Sequence, residues 1–253
     1  MYKGYLLDLD GTIYKGTQSI EGAKEFVERL QAEQLPFLFV TNNTTKTPQA
    51  VQKNLASNFD IVVDESSIYT ASLATADYLK SLDKGNRVYV IGESGLIDCL
   101  LAEGFVWEET TPDFVVVGLD RQFNYDKLVK ATLAIQNGAL FIGTNPDKNI
   151  PTEAGLYPGA GSLVTCLATS TQQEPIIIGK PSSVIMEGAL QRMGLEKTDV
   201  VMVGDNYETD IQAGIQNDIA TLLVLTGFTQ PDEVPTLPTA PTHVLTNLAE
   251  WSF

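Results

Sequence analysis

Two aspartates lie two positions apart directly after the first apolar segment of the sequence. Asp8 and Asp10 follow residues 5–7, which have the composition of a buried strand, and Gly11 comes immediately after the pair. Side chains alternate between the faces of a strand, so we expect both carboxylates on the same side. Because two close negative charges repel each other, the pair predicts a bound cation.

Polar side chains also follow three later apolar segments, which we predict as strands over residues 37–40, 176–178 and 200–203. The polar residues after these segments are, in chain order, Thr41 with Asn42, Lys180, and Asp205 with Asp210. In open parallel α/β sheets, ligands bind beyond the carboxyl ends of the strands. If the four strands are neighbours, their carboxylate, amine, hydroxyl and amide groups meet in one crevice.

This combination of side chains fits phosphoryl transfer to a carboxylate. A nucleophilic aspartate attacks phosphorus and splits one difficult step into two easier ones. We expect Asp8 to be this nucleophile and Asp10 to be the general acid and base, which protonates the leaving oxygen and then activates water. Lys180, Thr41 and Asn42 would hold the negative charge of the phosphoryl oxygens.

A divalent cation that prefers oxygen ligands completes this chemistry, and we expect Mg²⁺. The predicted ligands are the carboxylates of Asp8 and Asp205 and the backbone carbonyl of Asp10. The cation would cancel the repulsion between the carboxylates and the phosphate. Gly11 would let the chain turn sharply after the strand.

Other hydrolytic mechanisms lack the residues that they need. The sequence contains one histidine, His243, in an apolar terminal stretch, which leaves a histidine phosphatase a single poor candidate nucleophile. Neither Cys99 nor Cys166 is followed closely by the arginine of a cysteine phosphatase loop. The G-x-S-x-G sequence of serine hydrolases is absent.

Apolar segments alternate with amphipathic segments along the chain, which predicts an α/β fold with a doubly wound, Rossmann-like parallel sheet. We predict strands over residues 5–7, 37–40, 88–91, 114–117, 140–142, 176–178, 200–203 and 221–225. We predict helices over residues 20–33, 48–57, 66–81, 95–102, 125–137 and 162–171, and one after each of Lys180 and Asp205. Residues 145–158, with three prolines and one glycine, are predicted as a loop.

The spacing of the polar residues predicts an inserted domain. Asn42 and Lys180 are 138 positions apart. A crossover between parallel strands takes roughly 30 residues, so about 100 residues are surplus. We therefore predict a core of residues 1–81 and 179–253 and an inserted α/β domain of residues 82–178. It would lie over the crevice as a lid that excludes water and selects the leaving group.

The four polar segments also resemble a known set of motifs. They read DxDGT at 8–12, TNN at 41–43, GKP at 179–181 and GDNxxTD at 204–210. Together they resemble the four motifs of the haloacid dehalogenase superfamily over essentially the whole chain. The sequence is most similar to the NagD / p-nitrophenyl phosphatase-like subfamily, whose members are Mg²⁺-dependent phosphatases with a cap domain of the C2 type.

The resemblance implies the same roles for the core residues as the argument above. It adds Asp210 as a carboxylate that orients Lys180 and the water ligands of the metal. In the cap, residues 143–147 carry an Asx-Pro turn signal, so turn chemistry alone could account for Asn145 and Asp147. The resemblance implies that these two side chains face the substrate. Related mutases usually carry a helical cap before the second motif, which argues against that activity here.

The sequence therefore predicts a Mg²⁺-dependent phosphatase that forms a phosphoaspartate on Asp8. The resemblance implies nucleoside monophosphates, sugar phosphates and p-nitrophenyl phosphate as substrate classes. A phosphotransferase or mutase of the superfamily remains an alternative, although Asp10 favours hydrolysis because it can activate water. A receiver-type module that binds Mg²⁺ and phosphate with little turnover is a second alternative, although a sensor needs no lid.

The composition limits the partners that we expect. The 253 residues carry a formal net charge of −16, which disfavours nucleic acid and anionic membranes and leaves a small phosphorylated metabolite. No apolar stretch reaches the roughly 18 residues that span a bilayer, and we expect no signal peptide. Cys99 and Cys166 suit reduced thiols, so we expect a cytoplasmic protein. The sequence leaves a homo-oligomer open.

Overall fold

The structure, a computed structural model, describes residues 2–152 and 154–252. Its strands are β1 (Gly4–Leu7), β2 (Tyr14–Lys15), β3 (Gln18–Ser19), β4 (Phe37–Thr41), β5 (Ile68–Thr70), β6 (Arg87–Ile91), β7 (Val106–Trp107), β8 (Phe114–Val117), β9 (Leu140–Gly143), β10 (Asn149–Thr152), β11 (Gly155–Pro158), β12 (Ile176–Ile177), β13 (Val200–Gly204), β14 (Ala220–Val224) and β15 (His243–Leu245). Its α-helices are α1 (Ala23–Ala32), α2 (Pro48–Phe59), α3 (Ala71–Ser81), α4 (Ser94–Ala102), α5 (Tyr125–Gln136), α6 (Ala160–Thr171), α7 (Ser183–Met193) and α8 (Gln212–Gln216). The predicted loop and domains include Met1, Glu153 and Phe253, which lie outside the described residues.

The chain divides into two compact units. The first unit consists of Met1–Thr41, Pro48–Tyr69 and Lys180–Phe253, and the second of Asn42–Thr47 and Thr70–Gly179. Helix α3 lies in the second unit, where it packs on α4. The sequence places the boundary after α3, at residue 82, where a polar break follows this helix, and that boundary stays a prediction.

The first unit is built on a six-stranded sheet in the order β15-β14-β13-β1-β4-β5. Strand β1 runs parallel to β13 on one side and to β4 on the other, with Leu7 beside Val203 and Phe39. From β1 the later strands are added first on one side and then on the other, which makes the β1–β13 border a topological switch point. Ligands bind in the crevice at such a point, beyond the carboxyl ends of the strands.

The strands at this border are apolar throughout because they are buried on both faces. Every residue of β1 and β13 is buried, as expected for central strands of a parallel sheet. Helix α1 packs against one face through Phe26, Val27 and Leu30, which share a core with Leu7 and Val203. This packing fixes the strand ends from which the candidate site residues project.

The second unit has its own sheet and its own core. Its five strands lie in the order β12-β9-β8-β6-β7, and each neighbouring pair is parallel. Helices α5 and α6 cover one face, where Ala131, Ile135 and Leu167 pack on Val115 and Val117. Both units thus have the predicted parallel α/β architecture, and the predicted fold class is confirmed.

Strand β12 pairs with β9 at the edge of the second sheet, within the residues assigned to the inserted domain, so the four strands that precede the polar residues are not all neighbours. Two local predictions were wrong. Strands β10 and β11, predicted as part of a loop, pair antiparallel, and Gly155 at the start of β11 adopts a φ of 121° that suits glycine. The helix expected from residue 66 begins at Ala71, because the residues of β5 have strand-forming side chains and Thr70 Oγ1 caps the helix by accepting from the Leu73 N–H at 3.2 Å.

Among the helices of the described ranges, none combines the length and the hydropathy that crossing a bilayer requires.

Candidate active site

Asp8 and Lys180 form the centre of the site in the first unit. Asp8 follows β1, and its backbone N–H donates to the carbonyl of Val203 in β13 at 2.9 Å. The Lys180 ammonium lies 2.5 Å from Asp8 Oδ1 and 2.8 Å from Asp210 Oδ1. Three of the predicted site residues, from three distant parts of the sequence, therefore meet at the carboxyl ends of the central strands.

Lys180 is a buried cation whose side chain is only 1% exposed. Burial alone lowers the pKa of an amine, but the carboxylates of Asp210 and Asp8 outweigh burial and raise the pKa of Lys180 above its usual value. The ammonium therefore stays charged over the neutral pH range. A fixed cation of this kind can stabilise the negative oxygens of a phosphoryl group.

Asp210 is oriented by the chain that precedes it. Its Oδ2 accepts a hydrogen bond from the Asn206 N–H at 3.1 Å, while Oδ1 contacts Lys180. The residue lies in a π-helical turn over Tyr207–Ile211, which directs its carboxylate back toward the end of β13. Gly204 leaves the necessary room, because a Cβ atom at that position would overlap with Asp210.

Three carboxylates form one acidic group. Asp8, Asp205 and Asp210 each offer a carboxylate oxygen within 4.8 Å of the other two. Burial, with the charge of Asp210 as the second cause, raises the pKa of Asp8 well above its ordinary value and that of Asp205 to about 7. The ammonium of Lys180 balances only part of this negative charge. A group of buried carboxylate oxygens with excess negative charge fits a divalent cation such as Mg²⁺.

Asp10 differs from Asp8 in its surroundings. Its side chain is exposed, and it begins a tight turn in which the Gly11 N–H donates to the Tyr14 carbonyl at 2.6 Å. Gly11 has a φ of 95°, which glycine adopts without strain. Burial, reinforced by the carboxylates of Asp10 and Asp8, raises the pKa of Tyr14 far above its usual value. The acidic group contains Asp210 as its third carboxylate, and the backbone carbonyl of Asp10 stays the predicted third metal ligand.

Thr41 and Asn42 are adjacent in the chain but belong to different units. Thr41 is buried as the last residue of β4. The Asn42 side-chain amide donates to both carboxylate oxygens of Asp147, at 3.1 and 3.3 Å. Asn145 Nδ2 donates to the Asn42 carbonyl at 2.8 Å, and the Asp147 N–H donates to Asn145 Oδ1 at 3.1 Å. Asn145 and Asp147, expected to face the substrate, are therefore bonded to Asn42.

Sequence reasoning missed the residues that hold Asp205. Its Oδ2 accepts from the Phe228 N–H at 2.6 Å, and its Oδ1 accepts from Thr12 Oγ1 at 3.2 Å. Phe228 lies in the segment Thr226–Thr229, which follows β14, the neighbour of β13 in the sheet. The available signal was a polar segment with a glycine at the carboxyl end of a strand, the same pattern that marks Asp8.

Two family models match the parts of the chain that contain Asp8, Asp10, Lys180, Asp205 and Asp210. A model described as haloacid dehalogenase-like hydrolase matches residues 5–106, and one described as HAD-hydrolase-like matches residues 177–251. The chain belongs to the haloacid dehalogenase-like hydrolase family. Asp8 and Asp10 lie in the first matched region of this hydrolase, and Lys180 lies in the second.

Members of the family align with this hydrolase over almost its whole length. The 5'-nucleotidase YutF of Bacillus subtilis is 48% identical, over 99% of this chain and 97% of its own. An acid sugar phosphatase of Staphylococcus saprophyticus is 44% identical, over 98% of this chain and 96% of its own. The solved structure of NagD from E. coli K-12 has a TM-score of 0.93 at 35% identity and covers 100% of this chain and 99% of its own. The resemblance to the NagD-like subfamily is therefore confirmed.

Proposed function

We propose that this haloacid dehalogenase-like hydrolase is a phosphoric monoester hydrolase with Asp8 as its nucleophile. The observation that carries the proposal is the buried Lys180 ammonium, which contacts Asp8 and Asp210 while Asp205 lies in the same acidic group. The relatives named 5'-nucleotidase and acid sugar phosphatase support this enzyme class.

The proposed reaction has two steps, which exchange one phosphorus–oxygen bond for another. In the first, an oxygen of Asp8 attacks phosphorus, the bond to the leaving oxygen breaks, and Asp10 gives that oxygen a proton. In the second, Asp10 takes a proton from a water molecule, which attacks the phosphorus of the acyl phosphate. Inorganic phosphate leaves and the Asp8 carboxylate is restored. The exposed Asp10 is well suited to this double role, because it can exchange protons with water.

Lys180, Thr41 and Asn42 would bind the phosphoryl group. The Lys180 ammonium is fixed by Asp210 on one side and would attract the phosphoryl oxygens as they approach Asp8. We assign the Thr41 hydroxyl and the Asn42 amide to the same phosphoryl group as hydrogen-bond donors. Because Lys180 is held by two carboxylates, its ammonium would need little reorganisation during the reaction.

We propose Mg²⁺ as the cofactor. Asp8, Asp205 and the backbone carbonyl of Asp10 would hold it, with Asp210 as the nearby carboxylate that completes the acidic group. When bound, it supplies positive charge that offsets the repulsion between the carboxylates and the phosphate.

The proposed substrates are small phosphomonoesters in the cytoplasm, with nucleoside monophosphates and sugar phosphates as natural classes and p-nitrophenyl phosphate as a synthetic one. The names of the relatives support the first two classes. Cys99 and Cys166 are both free thiols, which suits a reducing compartment. We assign the choice of leaving group to the inserted domain, residues 82–178, as a cap of the C2 type.

The direct test is hydrolysis of p-nitrophenyl phosphate by the full chain with Mg²⁺ and with EDTA. We expect p-nitrophenol release that requires Mg²⁺, is lost in Asp8→Asn and persists in the control Asp218→Asn. Asp218 is an exposed aspartate that pairs with Lys197 on the surface. Release that is equal with Mg²⁺ and EDTA, or equal in wild type and Asp8→Asn, would overturn the proposal.

The same assay separates the two alternative activities. A phosphotransferase or mutase would convert the substrate into a new phosphate ester, whereas the proposed hydrolase yields inorganic phosphate in the same amount as p-nitrophenol. A receiver-type module would stop after one equivalent of p-nitrophenol and retain the phosphoryl group.

A further inference from the structure

The loop that follows β14 hydrogen-bonds to Asp205. We call residues 226–229, Thr226-Gly227-Phe228-Thr229, the 226–229 loop. Its Phe228 N–H donates to Asp205 Oδ2 at 2.6 Å, and its Thr229 N–H donates to the Asp205 carbonyl at 3.0 Å. Position 227 has room only for glycine, because a Cβ atom there would overlap with the Asp205 carboxylate. The loop therefore hydrogen-bonds to both the backbone and the side chain of Asp205.

The two threonines at the ends of the loop hydrogen-bond to neighbouring segments of the chain. Thr229 Oγ1 accepts a hydrogen bond from the Tyr207 N–H at 2.9 Å, so it also holds the turn that begins after Asp205. Thr226 Oγ1 donates to the Gly11 carbonyl at 2.6 Å, which ties the loop to the turn after Asp8. Thr229 itself is only 4% exposed.

A third threonine, on another loop, donates to the second carboxylate oxygen of Asp205. Thr12 is fully buried in the turn after Asp8, and its Oγ1 donates to Asp205 Oδ1 at 3.2 Å. Each carboxylate oxygen of Asp205 thus accepts from one donor, and those donors sit on two loops that Thr226 joins. The direction in which Asp205 presents its remaining lone pairs is set by these bonds.

We propose that Thr226 and Thr229 are positioning residues, which hold the 226–229 loop against Gly11 and Tyr207 so that Asp205 is fixed in the orientation that binds Mg²⁺. This inference rests on the proposed function of Asp205 as a metal ligand. No motif that marks the candidate site includes either threonine, and neither side chain is bonded to the acidic group itself.

The physical basis is that metal affinity depends on the groups that orient a ligand as well as on the ligand. Partners that hydrogen-bond to metal ligands typically change metal affinity or activity by about 10–100-fold when they are removed. Thr229→Val would leave the buried Tyr207 N–H without its acceptor, and Thr226→Val would release the loop from Gly11. Either change allows Asp205 to rotate away from the shared orientation.

The test is Mg²⁺ binding by isothermal titration calorimetry, with the melting temperature measured on the same samples. We expect Thr229→Val and Thr226→Val to raise the Mg²⁺ Kd severalfold and up to about tenfold, the lower end of the effect of removing a group bonded directly to a ligand. The serine variants Thr229→Ser and Thr226→Ser retain the hydroxyl and should restore the wild-type Kd. This rescue separates loss of the hydrogen bond from loss of the methyl group.

Thr242 offers a matched structural control. Its Oγ1 accepts from the Thr221 N–H at 3.0 Å, at the opposite end of β14 from the 226–229 loop. Thr242→Val therefore removes the same kind of hydrogen bond without touching Asp205. We expect it to lower the melting temperature, as Thr229→Val does, while the Mg²⁺ Kd stays that of the wild type.

Each outcome decides the inference. A wild-type Kd in folded Thr229→Val and Thr226→Val, or an equal rise in Thr242→Val, would overturn it and leave the proposed function standing. If Thr229→Val does not fold, Thr226→Val and its serine partner decide the question alone. If the wild-type chain binds no Mg²⁺, the proposed metal site fails and this inference fails with it.

Discussion

Lys180 is a buried ammonium with Asp8 at 2.5 Å and Asp210 at 2.8 Å. Removing such charges from water is costly, and their attraction offsets the cost only where the contacts are close. Asp205 adds a third buried carboxylate to the same group. The resulting excess of negative charge favours a bound cation, and this charge balance connects the residue scale to the proposed reaction.

The first prediction concerns the nucleophile. Asp8→Asn should lower kcat for p-nitrophenyl phosphate by roughly 10³-fold or more, because an amide cannot replace the attacking carboxylate. The variant should stay folded, since asparagine preserves the size of the side chain and removes one of three mutually repelling carboxylates. Circular dichroism and the melting temperature check the fold. A folded variant with most of the wild-type kcat would contradict the assignment.

The second prediction concerns pH and Asp205. Burial raises the pKa of Asp205 from 3.8 to about 7. Between these values the folded chain keeps a proton that the unfolded chain releases. The metal-free protein should therefore lose stability as pH rises from about 4 to about 7, and the loss should level off above that range.

Asp205→Asn isolates this effect because it removes the titrating group. Melting temperatures in EDTA, followed from about pH 5 to about pH 8, should fall less steeply with pH in the variant than in the wild type. Parallel curves for the two proteins would contradict the raised pKa as a source of the pH dependence.

At the scale of secondary-structure elements, β1 and β13 position the chemistry. Both could be predicted from continuous apolar runs, and their polar ends identified Asp8 and Asp205. Periodicity also indicated most helices, and Ser182 caps α7 by accepting from the Val184 N–H. These features are local, so a single sequence contains them.

Long-range pairing was less accessible from the sequence. The apolar run of β12 looks like a strand of the first sheet, yet it pairs with β9 in the second. Nothing in its composition distinguishes the two sheets, because both consist of buried parallel strands. The hairpin of β10 and β11 was missed because prolines and a glycine obscured its strand character, and every residue of β11 is exposed.

The third prediction concerns the segment after β9, where Asp147 accepts from the Asn42 amide. If Asp147 acts by orienting Asn42, Asp147→Ala should lower kcat/KM by about tenfold, and by the same factor for p-nitrophenyl phosphate and for a sugar phosphate. Asp147→Asn retains one acceptor oxygen and should lose less. Steady-state kinetics on the two substrates measures both variants.

A double-mutant cycle separates this role from direct contact with the substrate. Adding Asp147→Ala to Asn42→Ala should cause no further loss, because the amide that Asp147 orients is already absent. Losses that differ between the two substrates, or that add in the double variant, would instead support the substrate-facing role expected from the sequence.

At the scale of the whole molecule, the acidic group belongs to one of two units with separate cores. The fourth prediction is that Mg²⁺ stabilises the protein by binding to its folded form. At a concentration of 100 times its Kd, the ion should add about 2.7 kcal/mol to the free energy of unfolding. For a chain of this size, that corresponds to a rise of about 5–10 °C in melting temperature. Calorimetry with Mg²⁺ and with EDTA measures the shift, and an equal shift in Asp205→Asn would contradict the proposed site.

The family, the fold class and the enzyme class could be predicted from the sequence, and the comparisons confirm all three. The combination of four motifs is specific because each contributes a different chemical group. The contacts around Asp205 could not be predicted from motifs. Thr226 bonds to Gly11, which is 215 positions away in the chain, and Thr229 bonds to Tyr207 in a neighbouring turn. Such contacts depend on how loops meet in space.

Transfer of a phosphoryl group to Asp8 is the central claim, and trapping that group tests it most directly. Asp10→Asn should slow both steps and accumulate phosphorylated enzyme when p-nitrophenyl phosphate and Mg²⁺ are added. Intact mass should show the addition of one phosphoryl group, peptide mapping should locate it on Asp8, and Asp8→Asn in the same background should abolish it. An Asp10→Asn enzyme that turns over at the wild-type rate, or a phosphoryl group on any other residue, would contradict the account.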